Sequence, residues 1–256
     1  MIYITGDCHG NFERFMPSIF PEQKEMTKAD YVIICGDFGG VWHRDAENKE
    51  ESTVLDWLDS RPFTTLFVCG NHENFDRLYQ YPVEEWHGGK VHKIRDSVFH
   101  LMRGQVFEID GKKIFSFGGA SSHDIQGGIL DPENPDFERQ YAILSKGYLP
   151  FRINHWSWWK QELPSEEEIS AAREKLDQYN WTVDYVLTHS LPTSLEESVF
   201  EEFDYPHNRL TDFFDEVEQK LAYRNWFTGH YHQDARLACN PQMILLYNYI
   251  LKLDDD

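Results

Sequence analysis

The stretch that decides the fold is Tyr31-Val32-Ile33-Ile34-Cys35-Gly36-Asp37-Phe38-Gly39-Gly40, a short apolar run that ends in glycine and aspartate. Such a run, stopped by glycine, is typical of a buried strand. Similar runs occur at 2–5 and 65–69, and helical patterns lie between the three runs, at 11–20 and about 49–60. This βαβαβ series predicts parallel strands with helices on their faces.

The rest of the chain predicts a second sheet. Asp110-Gly111 is typical of a hairpin turn between two short strands, and Ser165 with Glu168 forms a capping box that predicts a helix to about Tyr179. The other predicted elements are short strands over 91–118, strands at 185–187 and 226–228, a helix at about 208–222 and a terminal hairpin at about 235–251. We therefore expect an α/β fold of two sheets carrying helices, a single domain over 1–256 with an irregular aromatic-rich insertion at about 120–180.

The charge balance limits the partners. The 256 residues carry 24 basic and 44 acidic side chains, a formal net charge of −20. A field of that sign repels long polyanions, so a long nucleic acid is not an expected partner, and an anionic substrate needs local attraction such as bound divalent metals. Most of the acidic surplus is expected to be solubilising surface, including the clusters Glu166–Glu168, Glu196-Glu197, Glu201-Glu202 and Asp254–Asp256.

The sequence also bears on the cellular compartment. It has no apolar stretch near the ~18 residues that a membrane helix needs, and its first residues do not resemble a signal peptide. The cysteines are Cys8, Cys35, Cys69 and Cys239, without a CxxC pair, which favours free thiols in a reducing cytosol. We expect a cytoplasmic protein with no membrane partner, and the sequence leaves its oligomeric state open.

Polar side chains follow five of the predicted strands. They are Asp7 and His9, Asp37, Asn71 and His72, His189, and His230 and His232. Because the carboxyl ends of strands in an open α/β sheet line the ligand crevice, these side chains should converge. Oxygen and nitrogen donors without thiolates suit Mn²⁺, Fe, Zn²⁺ or Ni²⁺.

The number and spacing of these side chains predict two metal ions. In Asp7-x-His9 and His230-x-His232, the i, i+2 spacing puts both side chains on one side of an extended segment. Seven candidate ligands, His72 apart, exceed what one ion uses, and a pair of ions about 3.5–4 Å apart is the arrangement used for displacement at phosphorus. The glycines that precede ligands, such as Gly70 and Gly229, predict sharp turns or close backbone approach.

The blocks GDCHG, GDFGG, GNHEN, THS and GHYH, in this order between residues 6 and 232, resemble the calcineurin-like metallophosphoesterase superfamily. The resemblance implies a two-sheet α/β sandwich with helices on the outer faces and a binuclear centre of two divalent ions, Mn²⁺ first, with Fe, Zn²⁺ or Ni²⁺ as alternatives. It also implies hydrolysis of a small phosphoester by attack of a metal-bridging hydroxide. The implied roles are Asp7, His9 and His232 on the first metal, Asn71, His189 and His230 on the second, Asp37 as the bridge, and His72 as the catalytic histidine that is not a ligand.

The sequence departs from the serine/threonine phosphatase branch of that superfamily. Its second block runs on as Phe38-Gly39-Gly40-Val41 and Val68-Cys69 precede Gly70, so two phosphate-clamping arginines and the aspartate partner of the catalytic histidine are missing at those positions. Less positive charge favours a monoanionic phosphodiester, although Arg44, Arg77 or Arg152 could replace the clamp, and His123-Asp124 could reach the substrate.

Several alternatives remain open at the level of sequence. The function could be that of a phosphomonoesterase, of a non-catalytic metal-binding scaffold, or of a mononuclear oxygenase, which would leave most of the histidines unexplained. Trp156, Trp158 and Trp159 form either a packed flap, which we favour, or a stacking wall for a base. Surface or packing roles are expected for five other histidines, His43, His87, His92, His100 and His207.

Overall fold

The computed structural model describes residues 1–199 and 207–253. Its strands are β1 Ile2–Thr5, β2 Tyr31–Ile34, β3 Thr64–Phe67, β4 Val83–Trp86, β5 Gly89–Arg95, β6 Val98–Leu101, β7 Gln105–Ile109, β8 Lys112–Phe117, β9 Ile129–Leu130, β10 Arg152–Ile153, β11 Tyr185–Thr188, β12 Asn225–Thr228, β13 Ala235–Arg236, β14 Met243–Leu245 and β15 Leu251–Lys252. Its helices are α1 Lys49–Asp59, α2 Phe75–Leu78, α3 Phe137–Leu144, α4 Glu166–Gln178, α5 Thr193–Val199 and α6 Arg209–Lys220. Within the described residues, none of these helices has the length and apolar character needed to cross a bilayer.

Two large sheets form the body of the fold. The first has the order β15-β1-β2-β3-β6-β5-β4 and the second β13-β14-β12-β11-β8-β7. Each is parallel in its middle, β1-β2-β3-β6 in one sheet and β8-β11-β12-β14 in the other, with antiparallel strands at the edges. The carboxyl ends of the parallel strands therefore lie at one edge of each sheet. This confirms the predicted two-sheet α/β fold.

The core follows from alternation along the strands. Ile33 of β2 is buried in the same apolar cluster as Leu187 of β11, in the space between the two sheets. Its neighbours Val32 and Ile34 point the other way and pack in a cluster with Leu55 of α1. Burying an aliphatic side chain of this size stabilises the fold by about 1.5–3 kcal/mol. A strand buried on both faces explains why the sequence shows an unbroken apolar run there.

Two predicted helices are confirmed, and both are capped at the N-terminus, α4 by the predicted capping box and α1 by a cap that was not predicted. Asn48 accepts a hydrogen bond from the backbone N–H of Glu51 at the start of α1 (2.8 Å). At α4, Ser165 accepts from the N–H of Glu168 (3.2 Å), whose carboxylate accepts from the N–H of Ser165 (2.8 Å). Each cap satisfies N–H groups that the helix itself leaves unpaired.

The predicted helix at 11–20 is wrong. The structure has two separate 3₁₀ turns, Glu13–Phe15 and Pro21–Glu25. Pro17 lies in the middle of the predicted helix, where its ring removes a backbone donor and clashes with the preceding turn. The apolar spacing was real, because Phe12 and Phe15 are both buried, but it serves a loop rather than a helix.

The predicted terminal hairpin is confirmed only in part. Ala235–Arg236 pairs antiparallel with β14, but Leu251–Lys252 crosses to the other sheet and pairs with β1. Asp234 turns the chain, because its carboxylate accepts from the backbone N–H groups of Tyr247, Asn248 and Tyr249. Sequence periodicity could not predict these hydrogen bonds between one carboxylate and a distant backbone segment.

The insertion at about 120–180, predicted to be irregular, contains short regular elements in its first part. Helix α3 lies there, and β9 and β10 form a parallel two-stranded ladder. The apolar spacing of Phe137, Tyr141 and Leu144 was a helical signal. The division of the chain into one domain with an insertion stays a prediction.

The acidic clusters are not uniformly surface. Glu196 is buried, and the Tyr231 hydroxyl donates to its carboxylate. Burial raises the pKa of Glu196 to about 7. The clusters Glu201-Glu202 and Asp254–Asp256 lie outside the described residues.

A buried histidine pair should make the fold acid-sensitive. His92 and His100 are opposite each other in the β5–β6 ladder, with stacked rings and Nδ1 atoms 2.9 Å apart, and their ring neighbours are Tyr79 and Phe67. Burial lowers the pKa of both, and Arg103 lowers that of His100 further. The unfolded chain therefore takes up these protons first as pH falls below about 6.5, and stability falls by up to about 1.4 kcal/mol per pH unit for each histidine.

The expected result is a smaller loss of stability between pH 7 and pH 5 in His100→Phe than in the wild type. Urea unfolding of both proteins, in chelator so that metal binding does not contribute, measures the two slopes. Equal slopes would show that the pair does not carry the acid sensitivity.

Candidate metal centre

The loops that follow β1, β2, β3, β11 and β12 meet at one place. They bring together side chains that are up to 225 positions apart in the sequence, Asp7, His9, Asp37, Asn71, His72, His189, His230 and His232. Three groups of ligand atoms among them lie within 4.8 Å of one another, and Asp7, His9 and Asp37 each belong to two groups.

The first group consists of Asp7, His9 and His232. His232 Nε2 lies 3.2 Å from Asp7 Oδ2, and His9 Nε2 lies 3.7 Å from the same oxygen. The two imidazole Nε2 atoms are 3.1 Å apart. One carboxylate and two imidazoles at this spacing are a donor set that Zn²⁺, Mn²⁺ and Fe accept.

The second group consists of Asp7, Asp37 and His189. His189 Nδ1 contacts the carbonyl oxygen of Cys35 (2.7 Å), so that nitrogen is the donor and Nε2 is left for a ligand. Nε2 lies 3.2 Å from Asp37 Oδ1, yet it is buried with no hydrogen-bond partner among the described residues. A buried nitrogen in this state is costly unless something binds it.

Asp37 contacts both sides of the centre. Its Oδ1 faces His189, and its Oδ2 lies 3.7 Å from His9 Nδ1. Two oxygens that face different imidazoles suit the bridging role expected of Asp37, and that role stays a prediction. The residues present therefore fit two metal ions.

Asn71 and His230 complete the predicted set less directly. Asn71 Nδ2 donates to Ser122 Oγ (3.5 Å), and within the described chain its buried Oδ1 has no hydrogen-bond partner. The His230 ring is 5.0 Å from that of His189, and its backbone N–H donates to Asp7 Oδ1 (3.0 Å). His230 is not a member of the three groups of ligand atoms. Its role as a ligand, like the other site assignments, stays a prediction.

His72 lies next to the ligands. Its Nε2 is 4.0 Å from Asp37 Oδ2, its backbone N–H donates to Asp37 Oδ1 (2.8 Å), and it belongs to the third group with His9 and Asp37. Burial lowers the pKa of His72 to about 4; Asp37 opposes this and Arg152 adds to it. By distance alone His72 could be a ligand or an acid–base group.

The electrostatics of the centre show that it attracts positive charge. Burial alone would lower the pKa of His189, but the charges of Asp37 and Asp7 raise it to about 9. A hydrogen bond to Asp7 raises the pKa of His232. Burial acts to raise the pKa of Asp37, yet His189, His72 and His9 hold it well below its usual range. Protons and metal ions compete for such a site, so metal binding releases protons.

The backbone of four predicted ligands is left-handed. His9, Asp37, His230 and His232 have φ of 48°, 45°, 70° and 50°. The extended segment assumed from the i, i+2 spacing is therefore wrong, although the histidines do reach the centre. Left-handed residues other than glycine are uncommon, and strain of this kind is concentrated at functional sites.

Two supporting carboxylates were missed by the sequence analysis. Glu73 is fully buried and accepts from the N–H groups of Phe38 (2.8 Å) and Gly39 (3.4 Å), which fixes the turn that carries Asp37. Glu162 accepts from the N–H of Ser122 (3.1 Å). Burial raises the pKa of Glu73 well above its ordinary value, and that of Glu162 to about 8. In the sequence, Glu73 could have been noticed because it directly follows His72, whereas nothing pointed to Glu162.

Two glycines confirm the predicted close backbone approach. A Cβ on Gly70 would overlap Asp37 Oδ1, and a Cβ on Gly229 would overlap Asp7 Oδ1. The loops after β3 and β12 can therefore approach the two carboxylates only without a side chain.

Gly70→Ala should abolish metal binding. The methyl group would overlap Asp37 Oδ1 and also the Asp37 backbone N, so the carboxylate cannot make room without a shift of its own backbone. Gly147→Ala is the matched control, since a Cβ there meets nothing closer than 3.4 Å. Equilibrium dialysis of both variants against Mn²⁺ measures the effect. Binding by Gly70→Ala at the wild-type level would show that Asp37 does not hold metal in this position.

Of the residues predicted to contact the substrate, two lie beside the centre and two do not. Arg152 lies beside His72, with Nη2 3.2 Å from Nε2, and the His123 ring is 5.7 Å from that of His230. Arg44 stacks over Trp156 (4.6 Å) at the surface. Arg77 is buried in an ion pair with Glu51 (2.7 Å) and so is occupied elsewhere.

The three tryptophans do not form one wall. Trp159 is fully buried and its indole N–H donates to Asp76 (2.8 Å), as a packed flap requires. Trp158 lines a cavity of about 510 Å³, together with Ile125 and Glu162. Trp156 is 37% exposed.

Comparison with known proteins matches the chain to one family model and to several curated relatives. Residues 1–234 match the family model described as calcineurin-like phosphoesterase. The lariat debranching enzyme of Danio rerio is 26% identical over 150 residues, 53% of this chain and 25% of that protein. The enzyme of the same name from Drosophila melanogaster is 22% identical over 99% of this chain and 46% of its own length. The chain thus spans a quarter to about half of the curated relatives it matches.

A solved structure also aligns with most of the chain. It is the phosphopantetheinyl hydrolase from Mycobacterium tuberculosis, at 14% identity and a TM-score of 0.43. The alignment covers 96% of this chain and 89% of that one.

Proposed function

The chain belongs to the calcineurin-like phosphoesterase family, and from that premise we propose that it is a hydrolase of phosphate esters that uses two divalent metal ions. One observation carries the proposal. The ligand atoms of Asp7, His9 and His232 lie within 4.8 Å of one another, those of Asp7, Asp37 and His189 do the same, and Asp37 has an oxygen toward each side.

When bound, two such ions supply Lewis acidity and a water of lowered pKa for in-line displacement at phosphorus. The chain's own residues do the rest. Asp7, His9 and His232 would hold the first ion, Asn71, His189 and His230 the second, and Asp37 would bridge them. The hydrogen bond from His189 Nδ1 to Cys35 keeps Nε2 directed at the centre.

His72 would protonate the leaving oxygen. Its backbone is tied to Asp37, so its ring stays close to the bridging carboxylate. As a general acid it would contribute roughly 10²–10⁴-fold to the rate. The choice of Asn71 rather than His72 as the ligand gives the second ion an oxygen donor and leaves an imidazole for proton transfer.

We favour phosphodiesters over phosphomonoesters. Of the three arginines considered as a clamp, only Arg152 contacts a side chain of the centre, and a monoanionic diester needs less positive charge than a dianionic monoester. The relatives named lariat debranching enzymes add a lariat to the candidate substrates. A small phosphoester and a cytoplasmic location stay part of the proposal, as does Mn²⁺ as the first candidate metal.

A panel of substrates and metals tests the proposal. Bis(p-nitrophenyl) phosphate, p-nitrophenyl phosphate and a lariat are offered to the protein loaded with Mn²⁺, Ni²⁺, Zn²⁺ or Mg²⁺. The proposal predicts metal-dependent turnover, faster on the diester than on the monoester. Faster monoester turnover would favour the phosphomonoesterase alternative, and metal binding without any turnover would favour the scaffold.

A further inference from the structure

Arg152 places a permanent positive charge against the residue that we assign to proton transfer. Its Nη2 is 3.2 Å from His72 Nε2. A guanidinium is always charged and can only donate hydrogen bonds. His72 Nε2 is therefore the acceptor in this contact, and it is the same nitrogen that lies 4.0 Å from Asp37 Oδ2.

Two other contacts hold the guanidinium in place. Nε donates to both carboxylate oxygens of Asp124 (2.8 and 2.9 Å), and Nη1 donates to the carbonyl of Ser157 (2.9 Å). The Arg152 side chain is only 9% exposed, whereas that of Asp124 is 41% exposed. A buried, charged and doubly anchored arginine loses little conformational freedom when it binds an anion.

The donor count leaves room for an anion. A guanidinium has five N–H groups. Among the described residues, the contacts to Asp124, Ser157 and His72 engage one on each nitrogen. One N–H remains on Nη1 and one on Nη2, and arginine characteristically binds phosphate oxygens through such donors.

The segment that carries Arg152 is itself fixed to the loop of His72. His155 Nδ1 and the Trp159 indole N–H both contact Asp76, at 2.7 and 2.8 Å. Asp76 lies in α2, which starts three residues after His72. The position of Arg152 over His72 is thus set by the fold and not only by the one contact between them.

We propose that Arg152 binds a non-bridging oxygen of the substrate phosphate and that Asp124 is the residue that positions it. The inference rests on the proposed function, since it names the group that binds the phosphate of that substrate. A phosphate oxygen is a stronger acceptor than a neutral imidazole. The incoming phosphate therefore takes the Nη2 donor and releases His72 Nε2, which can then bind the proton that it passes to the leaving oxygen.

The test measures binding and turnover separately. Inorganic phosphate is titrated into the Mn²⁺-loaded protein by calorimetry, and kcat and KM are measured on bis(p-nitrophenyl) phosphate. The variants are Arg152→Gln, Arg152→Lys, Asp124→Asn and Asp124→Glu, with Arg139→Gln on the exposed face of α3 as the matched control. Metal content and melting temperature are recorded for each, which identifies a variant that fails to fold.

Arg152→Gln should weaken phosphate binding by about 10- to 100-fold, the range of a lost charge-assisted hydrogen bond, with both metals retained. Arg152→Lys should recover only part of that loss, because lysine lacks the planar fork. Asp124→Asn should raise KM more than it lowers kcat, and Asp124→Glu should restore most of the difference. Arg139→Gln should match the wild type.

Phosphate affinity unchanged in Arg152→Gln would overturn the inference while leaving the proposed function intact. A different outcome is that the wild type hydrolyses no ester but binds phosphate, and Arg152→Gln loses that binding. This would overturn the proposed function and keep the phosphate site. A wild type that binds no phosphate would overturn the inference outright. If Asp124→Asn behaves as the wild type, Asp124 does not position Arg152.

Discussion

His72→Ala should keep both metals and lose most of the chemical step, roughly 10²–10⁴-fold. The reason is that His72 lies near Asp37 but is not one of the proposed ligands, since Asn71 Oδ1, which is buried and has no hydrogen-bond partner in the described chain, takes that place in the proposal. The loss should be largest for an alkoxide leaving group, which needs a proton. It should be smaller for nitrophenolate, which leaves without one. Rates on an alkyl ester and a nitrophenyl ester of one phosphate, with metal content measured in parallel, give the comparison.

Asp37→Asn is the contrast to that variant. It removes the charge that faces both His9 and His189, so metal binding and activity should fall together. If His72→Ala also loses metal, then His72 is a ligand and its assigned role is wrong. If it keeps metal and full rate on the alkyl ester, another group is the acid, and His123, whose ring is 5.7 Å from that of His230, is the next candidate.

Removal of metal should lower the melting temperature. Asp7 and Asp37 have oxygens within 4.8 Å of each other, and without cations only the neighbouring histidines offset their repulsion. A ligand at 100 times its dissociation constant stabilises a fold by about 2.7 kcal/mol. For a chain of this size that corresponds to a shift of roughly 5–10 °C. Differential scanning calorimetry with and without chelator measures the shift.

The control for this shift is Asp37→Asn, which should respond little to chelator because it binds metal weakly. An equal drop in both proteins would place the stabilising metal outside the proposed centre. No drop in the wild type, after verified metal removal, would show that metal binding and folding are not linked as proposed.

The sequence predicted the parts of the site that depend on strand ends. Ile34, Phe67 and Thr228 end strands that are buried on both faces, and such strands appear in the sequence as apolar runs followed by glycine. The ligands follow within a few residues, so their convergence could be predicted from the topology alone. Gly70 could be predicted as a close approach, because only a missing side chain lets the loop reach Asp37.

The sequence did not predict the parts that depend on the backbone and on distant contacts. The left-handed φ of His9 and of His232 is imposed by the tertiary structure, and the hydrogen bonds from the N–H groups of Cys8 and His9 to the carbonyl of Asp37 stabilise that first loop. Spacing cannot reveal these. The contact of Arg152 with His72 joins residues 80 positions apart, and no local pattern in the sequence links the two.

The same limit explains the wrong helix at 11–20 and the missed turn at Asp234. In both cases one residue, a proline or a carboxylate, overrides the apolar pattern around it. Local patterns therefore predicted where the ligands are, and tertiary contacts decide how they are held.

Anomalous scattering from Mn²⁺-soaked crystals tests the central claim most directly. The account predicts two peaks, about 3.5–4 Å apart, with Asp37 between them. One should be bound by Asp7, His9 and His232 and the other by Asn71, His189 and His230. A single peak, or peaks bound by residues outside this set, would contradict it.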